Sequence, residues 1–143
     1  MKILVMGGTR FVGKSLVGKL ISHNYDIDIF TRGNKSNPES TNLIKGDRNN
    51  IESILKIKDK KYDVIYDISG RELKQTKLLV ENVADSFKRY IYVSSAGVYS
   101  ENYELPLSED SPLDPQSRHK GKFETENWLI QQKIPFTSFR PTY

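Results

Sequence analysis

Apolar residues follow two alternating patterns along this chain. Short apolar runs are separated by longer stretches in which apolar residues recur every three to four positions. The first run, at 3–6, precedes a glycine pair at 7–8 and a periodic stretch at 11–21. This order predicts a strand, a tight turn and an amphipathic helix.

The same alternation continues through the rest of the chain. Ser69 and Glu72 have the spacing of a capping box and are predicted to start the third helix. The proline-rich segment 100–117 shows no regular period and is predicted to be a long loop. Further strands are predicted at 26–30, 41–46, 62–68, 89–93 and 134–139, and further helices at 50–58, 73–87 and 116–132.

Six strands with intervening helices indicate an α/β fold. Right-handed crossovers then give a doubly wound parallel sheet with the strand order 3-2-1-4-5-6, the Rossmann arrangement. We expect residues 1–143 to form one NAD(P)-binding domain of this kind. Sheets of this kind bind dinucleotides at the carboxyl edge, where the loops after the strands meet.

The glycine-rich loop after the first strand is a candidate phosphate site, although a glycine pair also marks ordinary turns. Glycines let the backbone turn sharply and approach a pyrophosphate, and Gly13 suits close packing of helix on strand. Arg10 occupies the position of the central glycine, and its guanidinium either contacts the phosphates or points outward. The predicted cofactor-binding residues of this loop are Gly7, Gly8, Thr9, Arg10, Phe11 and Gly13.

Further candidate cofactor-binding residues follow the next three strands. Thr31 stands where an acid would bind the ribose of NAD, and Arg32 follows it, so NADP is favoured over NAD unless Arg32 is only a loop cation. Asp47 either accepts a hydrogen bond from the adenine amino group or caps the following helix. Ser69 and Gly70, after the fourth strand, complete the predicted cofactor-binding set.

Composition narrows the classes of function. Among 143 residues, 22 basic and 18 acidic side chains give a net charge of +4, which is compatible with anionic partners and equally with lysine-rich helix faces. No cysteine is present and the two histidines are far apart, so we expect no disulfide and no metal site. The apolar runs are too short for a signal peptide or a membrane span, and we expect a soluble, cytoplasmic protein.

Three strings resemble the extended and atypical short-chain dehydrogenase/reductase superfamily, which includes the NAD-dependent nucleotide-sugar epimerases and dehydratases. They are the glycine loop at 7–13, the segment 94–99 and the Arg-Pro pair at 140–141. The resemblance implies chemistry in which a tyrosine exchanges a proton, a lysine four residues later lowers its pKa and a serine holds the substrate oxygen. Ser95 and Lys122 match the serine and the lysine.

The tyrosine of that pattern is replaced by Arg118, which does not exchange protons near neutral pH. His119 is the neighbouring candidate because the ordinary pKa of histidine is near 6.5, although its helical angle differs by about 100°. Tyr99 and Tyr103 are further substitutes that the spacing does not favour. The predicted catalytic residues are therefore Ser95, Lys122 and His119.

A narrower set of strings is similar to the chloroplast stem-loop RNA-binding proteins and their cyanobacterial relatives. These strings lie at 7–11, 30–33, 46–48, 67–72 and 119–122. The resemblance implies an mRNA-binding or ribonuclease-like protein with a degenerate dehydrogenase site, in the cytoplasm or a plastid stroma. Because members of the superfamily continue beyond the Arg-Pro pair, it also implies an N-terminal part of a longer protein.

Three functions stay open at this point. The first is a dinucleotide-binding domain of an RNA-binding protein, in which His119 as base, with Lys122 and Asp114, would support phosphodiester cleavage. The second is an NADP-dependent epimerase, dehydratase or reductase, and the third is a regulatory or scaffold protein that binds dinucleotide without turnover. Whether any cofactor is retained stays open. Oligomeric state stays open as well. Candidate RNA-facing cations are Lys56, Lys58, Lys60 and Lys61.

Overall fold

A six-stranded parallel sheet organises the computed structural model, which describes residues 1–101 and 105–142. Its strand order, β3-β2-β1-β4-β5-β6, confirms the predicted doubly wound Rossmann sheet. The strands are β1 Lys2–Met6, β2 Asp26–Thr31, β3 Asn42–Lys45, β4 Tyr62–Asp67, β5 Phe87–Val93 and β6 Phe136–Phe139. The helices are α1 Phe11–Ser22, α2 Ile51–Leu55, α3 Leu73–Val83 and α4 Lys120–Gln131, with short 3-10 turns at Ala84–Ser86 and Ala96–Val98.

The first strand lies inside the sheet, between β2 and β4, with helices covering both of its faces. On one face Ile3 and Val5 pack in a cluster with α1, and on the other Leu4 and Met6 pack with α2, α3 and α4. Strands covered on both faces read as continuous apolar runs, as the run at 3–6 does. Within the described residues, no helix is both long and apolar enough to cross a membrane.

The third helix begins differently from the sequence prediction. Its first residue is Leu73, and its capping box is formed by Glu72 and Gln75. The predicted box of Ser69 and Glu72 is therefore wrong. The Ser69 hydroxyl instead accepts a hydrogen bond of 2.8 Å from the guanidinium of Arg48.

The second helix is capped by Asn50, whose side-chain oxygen accepts from the Ser53 N–H at 3.0 Å. The carboxylate of Asp47 accepts instead from the Asn49 N–H at 2.9 Å, in the turn before the helix. The capping alternative for Asp47 is therefore wrong, and its contact with adenine stays a prediction. The helix also ends at Leu55, well before position 58.

The fourth helix begins at Lys120, because hydrogen-bonded turns occupy the preceding residues. The carboxylate of Asp114 accepts from the Gln116 N–H at 2.8 Å, and the Ser117 hydroxyl accepts from the His119 N–H at 3.0 Å. Before these turns, an isolated antiparallel bridge outside the sheet joins Tyr99 to Leu113 across the long loop. Tyr103, a sequence candidate, lies outside the described residues.

Candidate dinucleotide-binding site

A cleft of about 700 Å³ lies at the carboxyl edge of the sheet. The loops after β1, β2, β3 and β4 form most of its wall, and Lys122 of α4 and Pro141 lie at the side nearest β5 and β6. The predicted cofactor-binding residues that line it are Gly7, Gly8, Thr9, Arg10, Phe11, Gly13, Arg32, Asp47 and Ser69. Their contact with a cofactor stays a prediction.

Three positions of the glycine loop have a backbone conformation or a close contact that requires glycine. Gly7 and Gly8 have φ values of +108° and +105°, in the region that favours glycine. A Cβ at Gly13 would lie 2.7 Å from the Cα and N of Gly8. The first turn of α1 therefore lies directly against the loop, as close helix–strand packing at a diphosphate site requires.

The start of α1 faces the cleft without a side-chain cap. Its N-cap residue is Arg10, which has extended backbone angles and makes no capping hydrogen bond from its side chain. Free N–H groups at a helix start carry partial positive charge and bind anions. Phe11 is 88% exposed with φ +43°, so an aromatic ring lies at the mouth of the cleft.

A smaller hollow of about 390 Å³ adjoins the cleft at the end of β2 and β3. Register brings its cations together, because Thr31 pairs with Lys45 and Arg32 follows Thr31. Lys56 joins them, since its Nζ donates to the Lys45 carbonyl at 2.8 Å. Arg32, Gly46 and Asp47 line both hollows. The pKa of Asp47 is lowered, first by its hydrogen bonds from Asn49 and also by the nearby Arg32.

A buried ion pair that the sequence analysis missed underlies the cleft. Arg48, after β3, donates to Asp67, at the end of β4, through Nη1 at 2.6 Å and Nη2 at 2.9 Å. Burial alone would raise the pKa of Asp67, but the Arg48 charge and the hydrogen bonds lower it to about 2. The only sequence signal was an acid at the end of an apolar strand run and an arginine beside Asp47.

The Arg48–Asp67 pair holds two loops of the cleft together. The Asp67 carboxylate also accepts from the Gly70 N–H at 2.9 Å, the Thr76 hydroxyl at 3.1 Å and the Tyr90 hydroxyl at 2.6 Å. Gly70, predicted to contact the cofactor, is not among the described residues that line the cleft, and it lies against this carboxylate.

Lys122 brings a half-buried amine to the cleft. Its Nζ donates to the carbonyls of Val93, at 2.6 Å, and Gly70, at 3.2 Å, and lies 5.3 Å from the ring centroid of Tyr92. Burial lowers the pKa of Lys122, and the charges of Arg71 and Arg48 lower it further. Asp67 acts in the opposite direction.

Ser95 and His119 meet at Gly97, away from the lining of the cleft. The Ser95 hydroxyl accepts from the Gly97 N–H at 3.1 Å, and a Cβ at Gly97 would overlap the imidazole of His119. The exposed Arg118 donates to His119 Nε2 at 3.2 Å. Partial burial lowers the pKa of His119, and so do the charges of Arg118 and Lys122. Neither residue is among the described residues that line the cleft.

Most of the other sequence candidates make structural contacts within the chain. The hydroxyl of Tyr99 accepts from Arg140 at 3.0 Å. Among the proposed RNA-facing lysines, Lys60 pairs with the buried Asp28 at 3.0 Å, and the Nζ of Lys61 donates to a backbone carbonyl. Lys58 is exposed. These lysines therefore do not act as one free basic face.

The strand order, the glycine loop between β1 and α1 and the cleft at the carboxyl edge define a Rossmann-type dinucleotide-binding fold. Within that class, the chain belongs to the NAD dependent epimerase/dehydratase family, whose model matches residues 3–142.

Two curated relatives illustrate the similarity. The chloroplast stem-loop binding protein of 41 kDa b from Arabidopsis thaliana is 38% identical over 99% of this chain and 42% of its own length. The UDP-glucose 4-epimerase of Corynebacterium glutamicum is 28% identical over 83% of this chain and 42% of its own length. The chain thus spans less than half the length of these relatives.

Solved structures show the same fold. The UDP-glucose 4-epimerase from Bifidobacterium longum, in complex with NAD+ and UDP, superimposes with a TM-score of 0.86 at 19% identity, over 98% of this chain and 52% of that one. The UDP-glucose 4-epimerase from Thermus thermophilus, in complex with NAD, gives a TM-score of 0.85 at 18% identity, over 98% of this chain and 54% of that one.

Proposed function

We propose that this chain is the dinucleotide-binding domain of an atypical member of its family, one that lacks the proton-donating tyrosine. The observation that carries the proposal is the 700 Å³ cleft, which combines the glycine loop, the uncapped start of α1 and the ends of β2 to β4. Diphosphate binding uses this combination of close backbone approach and free N–H groups. Neighbouring structures that contain NAD support the choice of ligand.

The ribose end of the cleft favours NADP over NAD. Thr31 carries no charge at the position where an acid would accept from the ribose hydroxyls, and Arg32, Lys45 and Lys56 surround the adjoining hollow. A phosphate ester on the ribose would reach these cations, while Asp47 is the one acid among the described residues that line the hollow.

Replacing Arg32 tests this preference. We expect Arg32→Ala to weaken NADP binding about tenfold, since a charge-assisted hydrogen bond contributes about 1.5 kcal/mol or more, and to leave NAD binding unchanged. The measurement is thermal stabilisation of the chain by each dinucleotide across a titration. Lys58→Ala, which removes an equal charge from an exposed position outside both hollows, is the matched control. Equal weakening of both dinucleotides, or tighter binding of NAD by the unaltered chain, would contradict the preference.

Hydride-transfer chemistry is the weaker candidate. Arg118 stands four residues before Lys122, where the family pattern has its tyrosine, and its exposed side chain donates to His119, which supports a chain without that proton donor. The similarity to UDP-glucose 4-epimerases favours an NADP-dependent epimerase, dehydratase or reductase as the alternative, with Ser95 and Lys122 in the family roles. It would need His119 or another residue to supply the proton.

RNA is the proposed partner of the whole protein, in the cytoplasm or a plastid stroma. The name of the Arabidopsis relative, a chloroplast stem-loop binding protein, supports this choice, as does the net charge of +4. Since Lys56, Lys60 and Lys61 are occupied by protein contacts, the better candidates for phosphate contacts are Lys58 and two cations of the smaller hollow, Arg32 and Lys45.

Salt dependence tests RNA binding. With about four phosphate contacts, we expect the affinity for a stem-loop RNA to fall roughly a hundredfold between about 50 and 200 mM salt, measured by filter retention. Lys58→Ala should reduce the slope by about one, while Lys19→Ala, an exposed cation on α1, should not. If the RNA is cleaved, His119→Ala should stop cleavage without changing retention. Retention that is absent or insensitive to salt would count against the proposal.

A further inference from the structure

One glycine connects the buried ion pair to the amine in the cleft. The N–H of Gly70 donates to the Asp67 carboxylate at 2.9 Å, and its carbonyl accepts from Lys122 Nζ at 3.2 Å. The hydroxyl of Tyr92 donates to the same carbonyl at 3.2 Å. Gly70 thus lies between Asp67 and Lys122 in space. Asp67 accepts from its N–H, and Lys122 donates to its carbonyl.

Gly70 has little freedom to move independently of this carboxylate. A Cβ at this position would lie 2.7 Å from Asp67 Oδ2 and 3.0 Å from the Thr76 hydroxyl. Asp67 itself is fully buried and has five hydrogen-bond donors within the described part of the chain, including both terminal nitrogens of Arg48. The Asp67 carboxylate therefore fixes the position of Gly70, whose carbonyl accepts a hydrogen bond from Lys122.

The charges around Lys122 come from several elements. Asp67 of β4 and Glu126 of α4 stabilise its ammonium form, while Arg48 after β3 and Arg71 before α3 destabilise it. His119, at the start of α4, interacts with it as well. Two of the opposing charges, Asp67 and Arg48, form the buried pair itself. Removing the Asp67 charge should therefore lower the pKa of Lys122, and removing the Arg48 charge should raise it.

We propose that Asp67 is the positioning residue for Lys122: it fixes the Gly70 carbonyl, one of the two carbonyls that hold the amine, and supplies the buried negative charge that stabilises the ammonium group. Through Arg48, the same carboxylate is attached to the loop that carries Asp47. The lysine on one side of the cleft and the loop predicted to bind adenosine thus share one buried anchor. Only the consequence for a bound cofactor rests on the proposed function.

The titration midpoint of Lys122 tests this assignment. We would measure the reaction of each lysine with an amine-acylating reagent between about pH 7 and 12 in the 143-residue chain, and read each site by peptide mass spectrometry. Asp67→Asn should lower the midpoint of Lys122, and Arg48→Gln should raise it, by about one pH unit in each case. Thr76→Val removes one hydrogen bond to the same carboxylate without changing charge, and should leave the midpoint near its original value. The exposed Lys19 of α1 is the internal control.

Opposite shifts in the two charge variants would support the assignment. A loosened structure alone would expose Lys122 and shift its midpoint in the same direction in both variants. An unchanged midpoint in Asp67→Asn, or shifts of the same sign, would overturn it. If Asp67→Asn fails to fold by circular dichroism, Arg48→Gln is compared with Thr76→Val, which perturbs the same carboxylate without changing charge. A larger rise in Arg48→Gln then supports the proposal, and a midpoint that rises no further than in Thr76→Val overturns it. Because no dinucleotide is present in these titrations, failure of the proposed cofactor site would leave their outcome unaffected.

Discussion

Gly13→Ala should destabilise the chain by about 3 kcal/mol and weaken its affinity for a dinucleotide. The added Cβ would lie 2.7 Å from the backbone of Gly8, which cannot move aside as a flexible side chain does. Relief requires the start of α1 to separate from the glycine loop, and this separation moves the helix N–H groups away from the phosphate position. Urea unfolding and thermal stabilisation by NAD and NADP measure the two effects.

Gly18→Ala is the matched control within the same helix. Within the described part of the chain, no atom lies within 4 Å of a Cβ built at Gly18, and the residue is exposed in the middle of α1. Alanine there should stabilise the chain by about 0.5–1 kcal/mol, since it reduces the entropy of the unfolded chain. Equal effects of the two substitutions would show that close packing at Gly13 is not what the loop requires.

Asp67→Asn should lower the free energy of unfolding at pH 6 by about 3–5 kcal/mol, because it leaves the buried guanidinium of Arg48 without its counterion. The difference from the unaltered chain should also depend on pH. The pKa of Asp67 is about 2 in the folded chain, below its ordinary value of 3.8. Its ionisation therefore stabilises the fold above the ordinary pKa, and this contribution is lost as the pH falls toward 2.

Unfolding curves for both proteins at about pH 6 and pH 3 check this dependence. The difference between them should narrow by about 1 kcal/mol over that interval. The pKa values of Asp28 and Glu126 are also lowered in the folded chain, but these groups are common to both proteins and cancel in the difference. A difference that stays constant with pH would show that ionisation of Asp67 does not stabilise the folded chain.

Local patterns predicted the sheet because its packing requires particular residue types within short segments of sequence. The run at 3–6 is apolar because both faces of β1 are covered, and the glycines at 7, 8 and 13 are needed where backbone meets backbone. The predicted starts and ends of the helices were less accurate. The capping box at Ser69 had the right spacing, but the Ser69 hydroxyl is engaged by Arg48, a residue distant in sequence.

The sequence by itself determined the α/β alternation, the strand order and the loops that meet at the carboxyl edge, because hydrophobic periodicity and the handedness of crossovers restrict the topology. Only the tertiary structure decided which polar side chains pair. It brought Arg48 onto Asp67, Gly70 between Asp67 and Lys122, and His119 onto Gly97. The cost of leaving a buried charge or carbonyl without a partner selects these contacts, and they join residues from separate elements, so no local pattern records them.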